Sequence, residues 1–577
     1  MRKLLATAAA IAPLLAATGV QAEVVISNDR TTPVTTSGSN DNVRISSAGS
    51  IAVTSGTALT LDSNHSIDLD SGSEINMLKS ADGSTGILVQ GGRTGSVTIG
   101  GVVQLTDDVE TATDTDKDGD LDGPFATGAN RHGVNVVGAA PFTGRIYGET
   151  SSNISVEGNQ SYGVRVQSDL VGDLDLRGVI SVRGTDTYGV RTQGNVTGDV
   201  YVAGTVAAIG QNATGASVEG DVSGSVTVQG QLSSTGYRYT TRPSAAIIEK
   251  LDADDLLQGG SALVVSGNVA QGVVLARPPV DLDKDVADED GDGIADASEG
   301  TASITTLGSA PAIAIGADDR SITLGVAGTG DNAYGFINQG SVSAAGLYDE
   351  VDSTAIAFGG GAGQTVTIAG GIYNNGGTIA STSILGDAVG VDIGAGVTTP
   401  KFVNTGSMAA VSSGEGANEV AVVRIAAGAN LPTFVNNGPI TALGGYESNV
   451  TGVQDLSGTL TSFTNTRVIA IANQPDSEEE TTGSATAIDL SANTTGVTIT
   501  QYGVVQEDDG DEDTEPPLDS DDDGVPDAFE PAISGDIKMG SGADFLDIRN
   551  GAVIGDMYFG AGQDHLSITG GAVVTGV

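Results

Sequence analysis

Short valine-rich segments return after glycine through the first half of the chain, and this recurrence limits the available folds more than any other feature. They read Gly133-Val134-Asn135-Val136, Gly163-Val164-Arg165-Val166, Gly189-Val190-Arg191-Thr192 and Gly215-Ala216-Ser217-Val218, at separations of 30, 26 and 26 residues. Each unit holds a second short strand, as in Leu174-Asp175-Leu176 and Val200-Tyr201-Val202, and a third such as Ile180-Ser181-Val182. Within a strand the side chains alternate, with Val164 and Val166 on one face and Arg165 on the other. Strands this short cannot bury an apolar face alone, so the units must stack on their neighbours. The pattern predicts a right-handed parallel β-helix with three strands per coil. Propeller blades need ~40–45 residues and four strands, and sandwiches lack this self-similarity. At ~25 residues per coil, and with acidic inserts set aside, the spacing predicts roughly 19 coils and a rod about 90 Å long.

A second series has the form aromatic-x-Asn-x-Gly. It reads Phe336-Ile337-Asn338-Gln339-Gly340, Tyr373-Asn374-Asn375-Gly376-Gly377, Phe402-Val403-Asn404-Thr405-Gly406 and Phe434-Val435-Asn436-Asn437-Gly438, with a decayed copy at Phe463-Thr464-Asn465. Aligning Asn338, Asn375, Asn404, Asn436 and Asn465 predicts an amide ladder at one corner and a column of rings in the core. The last repeat pairs Gly540-x-Gly542-x-Asp544-x-Leu546 with Gly560-x-Gly562-x-Asp564-x-Leu566, twenty residues apart. A toxin-type calcium β-roll would need contiguous nine-residue repeats, so these copies are read as ordinary turns.

Composition sharpens this reading. The 85 glycines are a turn inventory, and the absence of Cys excludes disulfides, cysteine nucleophiles and thiolate zinc sites. A formal charge of −49 would repel a phosphate backbone, so nucleic acid is not an expected partner. Residues 1–22 read as a signal peptide: Met1-Arg2-Lys3 is basic, an apolar run follows, and Val20-Gln21-Ala22 offers a cleavage site. Residues 23–577 are then the solenoid, exported to the cell surface, the outer membrane or the medium.

Three acidic inserts interrupt the repeats at about 107–126, 278–300 and 506–531, and their cores carry −28 of the total charge. Two contain a twelve-residue pattern suited to Ca²⁺, which takes six to eight hard oxygens. In the first of these, Asp288, Asp290, Asp292, Asp296 and Glu299 supply side chains and Ile294 a carbonyl. In the other the same places fall to Asp519, Asp521, Asp523, Asp527 and Glu530, with Val525 giving the carbonyl. The remaining insert has Asp114, Asp116, Asp118 and Asp122 but Phe125 at position 12, which predicts a looser site. EF-hands have flanking helices, and none is expected beside Gly300-Thr301 or Pro531-Ala532. The loops are similar instead to those of thrombospondin type 3 repeats, and the expected role of the ion is to pin long loops onto the rod.

The Phe-x-Asn-x-Gly units, Ala310-Pro311-Ala312-Ile313-Ala314-Ile315-Gly316 and the terminal Gly-x-Gly-x-Asp-x-Leu coils together resemble the passenger region of Gram-negative autotransporter outer-membrane proteins. The resemblance implies a surface-displayed or released stalk or adhesin with a cell-surface or polysaccharide ligand. It also implies a C-terminal β-barrel translocator. No such barrel lies within these 577 residues, and the repeat stops partway at Thr575-Gly576-Val577, so the expectation is either a fragment whose translocator lies beyond this sequence or export beyond the periplasm by another protein. The alternatives are a soluble periplasmic or secreted β-helix, and a polysaccharide-acting lyase or glycoside hydrolase. Catalysis is not expected, since His65, His132 and His565 lie far apart and no Gly-x-Ser-x-Gly elbow occurs.

Overall fold

The computed structural model describes residues 23–107, 114–115, 117–119, 122–289, 291, 294–474, 480–505, 518–520 and 524–576. The signal-peptide reading of residues 1–22 lies outside the described residues.

The chain winds through three long sheets in strict rotation. Sheet A runs from Glu23–Ile26 to His565–Ile568 and sheet B from Asp29–Arg30 to Val573–Thr575, each with 17 described strands. Sheet C runs from Val34–Thr35 to Met557–Tyr558 with 16. One coil is Ile146–Gly148 in sheet A, Asn153–Glu157 in B and Tyr162–Val166 in C; the next is Leu174–Leu176, Val179–Arg183 and Tyr188–Thr192. Every ladder between them is parallel. Parallel crossovers take the right-handed sense, and the molecule is a right-handed parallel β-helix.

Period-two alternation builds the core. Val164 and Val166 are fully buried while Arg165 between them points outward, and the same division repeats at Val134, Asn135 and Val136. Each inward Val, Ile or Leu contributes about 1.5–3 kcal/mol of burial, and together they form one continuous column. The second-place glycine of the sheet C strands His132–Val137, Tyr162–Val166, Tyr188–Thr192 and Thr214–Val218 answers to a close approach: a Cβ on Gly163 would lie 2.4 Å from Ile180 Cγ2 and 2.5 Å from the Gly189 carbonyl oxygen.

Two expectations are corrected. Seventeen strands in sheets A and B give about 17 coils and a rod of about 80 Å at ~4.8 Å per coil, shorter than the predicted 19 coils. The missing residues are spent on an unforeseen insertion between Gln231–Thr235 and Leu263–Val265, and on a side sheet of Ile322–Leu324, Val366–Ile368 and Val397–Thr398. The second correction concerns register: Phe336 pairs with Ile372 and Asn338 with Asn374, not with Tyr373 and Asn375. A one-residue slip exchanges the two faces of a strand. Ile372 takes the core position, and Tyr373 turns outward to pack on Tyr334 at 4.7 Å.

With that register the ladder is continuous. Asn338, Asn374, Asn404, Asn436 and Asn465 each donate Nδ2 to the amide oxygen of the next coil at 2.8–3.0 Å, ending on Gln501. Phe402, Phe434 and Phe463 stack beside it at 5.1 Å. In the last coils Asp544 Oδ1 accepts from Val497 N at 2.8 Å and Asp564 Oδ1 from Asp544 N at 3.0 Å, a turn ladder of the same kind.

Candidate calcium loops

The inserts leave the rod at two of its corners. Residues between Val102–Leu105 and His132–Val137 emerge where sheet B passes to sheet C. Those between Val273–Leu275 and Ser303–Leu307, and between Thr498–Gln501 and Ala532–Ser534, emerge where A passes to B. Asp116, Asp290, Asp292, Asp521 and Asp523 lie outside the described residues.

What is described repeats from loop to loop. In all three, the backbone N–H at loop position 2 donates to the carboxylate at position 9. Thr115 donates to Asp122 at 2.5 Å, Glu289 to Asp296 at 3.2 Å and Ser520 to Asp527 at 2.7 Å. Ser520 Oγ adds a bond of 2.6 Å to Asp527. Donation by Ser520 holds the Asp527 carboxyl below its ordinary value. In the two full loops a return bond closes the base, from Asp296 N to Ala287 O at 2.9 Å and from Asp527 N to Leu518 O at 2.8 Å. A single 3₁₀ turn follows, Asp296–Ser298 and Asp527–Phe529, and Glu299 is already extended at ψ 136°. The chain therefore does not enter an EF-hand helix.

Position 7 has a side-chain role that spacing alone did not reveal. Ile294 and Val525, read as carbonyl donors, are 6% and 2% exposed. Val525 sits against Gly503, where an added Cβ would come within 2.5 Å of it. Ile294 lines a cavity of about 350 Å³ against Thr150, Arg177 and Ala203 of the rod. Beside Val525, the Arg467 guanidinium covers Phe529 at 4.4 Å and donates to its carbonyl at 3.2 Å. An apolar plug thus anchors each full loop.

The donor set can be tested against a hard cation. Asp519, at position 1, accepts from Gly524 N through Oδ2 at 2.9 Å. Its Oδ1 is buried with no hydrogen-bond partner among the described residues. A buried carboxylate oxygen left so is costly unless a cation or donor meets it, and this arrangement fits Ca²⁺ at position 1. Ile294, Asp296 and Glu299 are placed in the other full loop as Val525, Asp527 and Glu530 are here, with Asp288 at its position 1. Among the described residues, no three Asp, Glu or His side chains converge as a metal cluster. In the first insert Asp118 is buried, Asp114 is exposed and Asp122 turns onto Thr115.

The first insert is held by residues the sequence reading passed over. Its neck closes on Asp107, which accepts from Thr127 N at 2.6 Å and Gly128 N at 2.8 Å and pairs with the buried Arg131 at 3.2 Å. Its tip is gripped by the unforeseen insertion: Tyr239 donates to the Asp118 carbonyl at 2.9 Å, Lys250 to the Lys117 carbonyl, and Arg238 to that of Gly123 while covering Phe125 at 4.5 Å. The signal for it was the repeat spacing, which jumps to 47 residues between Ala216 and its ladder partner Leu263. The run Tyr237-Arg238-Tyr239 was a second clue in so acidic a chain. Set against family models, curated proteins and solved structures, the chain finds no match in any of the three.

Proposed function

We propose that this chain is an exported, autotransporter-type β-helix passenger that serves as a stalk or adhesin at the cell surface, with its Asp-rich loops bound to Ca²⁺. The observation that carries the calcium reading is the buried Asp519 Oδ1, set in a loop whose closing bond recurs at Asp296 and Asp122. Coordination by Asp288, Asp290, Asp292, Asp296 and Glu299, and by the matching set from Asp519 to Glu530, would neutralise carboxylates that otherwise repel one another across the insert. The loops would then lie fixed on the corners where Ile294 and Val525 already anchor them. The rod supports the stalk reading: its core is one unbroken column, and a solenoid of this kind presents long flat faces.

Calcium titration by calorimetry of residues 23–577 tests the loops. Binding of two ions is expected, with a third, weaker event at the first insert, and Asp519→Asn should remove one of the strong sites. Absence of heat at millimolar calcium would overturn the assignment. Display is tested separately, by fusing the chain to an outer-membrane translocator barrel and assaying surface exposure with protease.

A further inference from the structure

The outward face of sheet C carries the same row in two consecutive coils: Tyr162, Arg165 and Gln167, then Tyr188, Arg191 and Gln193. Tyr162 is stacked between His132 at 5.2 Å and Tyr188 at 5.6 Å. The Arg165 guanidinium lies 4.2 Å above the Tyr162 ring, and that of Arg191 lies 4.4 Å above Tyr188. The two arginines differ in their compensation. Arg191 holds Glu219 with both fork nitrogens, at 2.6 and 3.2 Å. Arg165 gives Nε and Nη2 to the neutral Gln193 amide oxygen at 3.0 and 2.9 Å and forms no ion pair among the described residues, Glu219 acting on it only at a distance while bonded to Arg191.

Arg30, Arg93, Arg183 and Arg277 also make no ion pair among the described residues, but they are exposed, and the half-buried Arg467 donates to the Phe529 carbonyl; Arg165 is half-buried and meets only a neutral amide. Arg44, Arg145, Arg242 and Arg424 each find a carboxylate. A half-buried guanidinium has shed part of its hydration, and burial pushes Arg165 below its ordinary value. Beside it, the exposed Gln193 amide, its oxygen taken by Arg165, keeps Nε2 to donate, and the exposed Gln167, whose Nε2 donates to Asn135 Oδ1 at 2.9 Å, keeps its oxygen to accept. We propose that this Tyr–Arg–Gln face of sheet C binds a singly charged acidic sugar, the Nη1–Nη2 side of the Arg165 fork taking its carboxylate while Gln193 Nε2 and Gln167 Oε1 meet its hydroxyls. The planar fork matches a carboxylate. The single charge follows from electrostatics: with screening over about 8 Å at physiological salt, one carboxylate senses Arg165 locally. An extended polyanion senses the −49 of the whole chain and is repelled.

This deepens the adhesin reading and is independent of calcium. The test is binding of glucuronate and of glucose to residues 23–577, followed by saturation-transfer NMR and calorimetry, with calcium and with chelator. Glucuronate should bind, and glucose should bind about tenfold more weakly or worse. Arg165→Gln should erase that preference while leaving the circular dichroism and melting of the rod unchanged, and Arg165→Lys should keep part of it. Equal binding of the two sugars, no glucuronate binding, unchanged binding by Arg165→Gln, or tighter capture of polyglucuronate or of an acidic peptide would each overturn the proposal. If calcium titrates normally while glucuronate fails, this site falls and the calcium reading stands.

Discussion

Replacing Asn404 by Ala probes whether the amide ladder holds the second half of the rod in register. Asn404 is fully buried, and three groups depend on it. Its Oδ1 accepts from Asn374 Nδ2 at 2.8 Å and from Gly406 N at 3.2 Å, and its Nδ2 donates to Asn436 Oδ1 at 2.8 Å. Truncation leaves all three without partners inside the core. At about 1–3 kcal/mol for each orphaned group, and with partial relaxation, the expected cost is about 3–5 kcal/mol. Asn338 opens the ladder and has an amide neighbour only on its far side, Asn374. Asn338→Ala should therefore cost about 1–3 kcal/mol less than Asn404→Ala.

A long solenoid need not unfold in one step, so the assay is hydrogen exchange resolved by mass spectrometry over the strands holding Asn374, Asn404 and Asn436. Opening free energies should drop there and recover several coils away. Asn404→Asp adds a pH signature. Burial raises the pKa of the introduced carboxyl, so the damage is greatest at neutral pH. It lessens as pH falls and the protonated acid can donate to Asn436. Equal costs at Asn338 and Asn404, or a cost at Asn404 below about 1 kcal/mol, would refute the ladder argument.

His132 and Asp544 should shape the pH dependence of stability in opposite directions. Burial and the nearby Arg165 lower His132 from 6.5 to about 4. The unfolded chain then takes up the proton first, so stability falls as pH drops from about 6.5 to about 4, by at most about 3 kcal/mol, and levels off below. Urea titrations across that range should show the slope, and His132→Phe, which retains the stack on Tyr162, should flatten it. Burial raises the Asp544 carboxyl, aided by Asp564. Its Oδ2 is buried without a hydrogen-bond partner among the described residues. That group costs stability at neutral pH and the cost disappears as pH falls through its raised value. Asp544→Asn keeps the acceptor for Val497 N and should raise the stability of the terminal coils by about 1 kcal/mol at pH 7; thermal melts that show a loss instead would contradict this account.

How much of this was legible in the sequence follows from the range of the forces involved. The coil was legible because alternation and turn glycine act over a few residues: Val164 and Val166 face inward for reasons contained in their own strand. The ladder was legible in kind but not in register, since Tyr373-x-Asn375-x-Gly377 satisfies the motif while the register adopted, Ile372-x-Asn374-x-Gly376, puts Ile in the aromatic place. What decided between them was the fit of Ile372 above Phe402, a contact 30 residues away in the chain. The Asp-rich loops were legible as a recurring spacing, yet the side chains of Ile294 and Val525 anchor them through contacts with the rod. The clamp on the first insert was legible only as an interruption. Tyr239 reaches the Asp118 carbonyl across 121 residues, and no local pattern encodes such a contact. In a solenoid, distant segments become neighbours whenever they leave the same corner. Arg165 illustrates the converse. Its strand predicts an outward side chain correctly, but its missing counter-charge emerges only when the coils on either side are in place, with Asn135 on one flank and Arg191, already paired with Glu219, on the other.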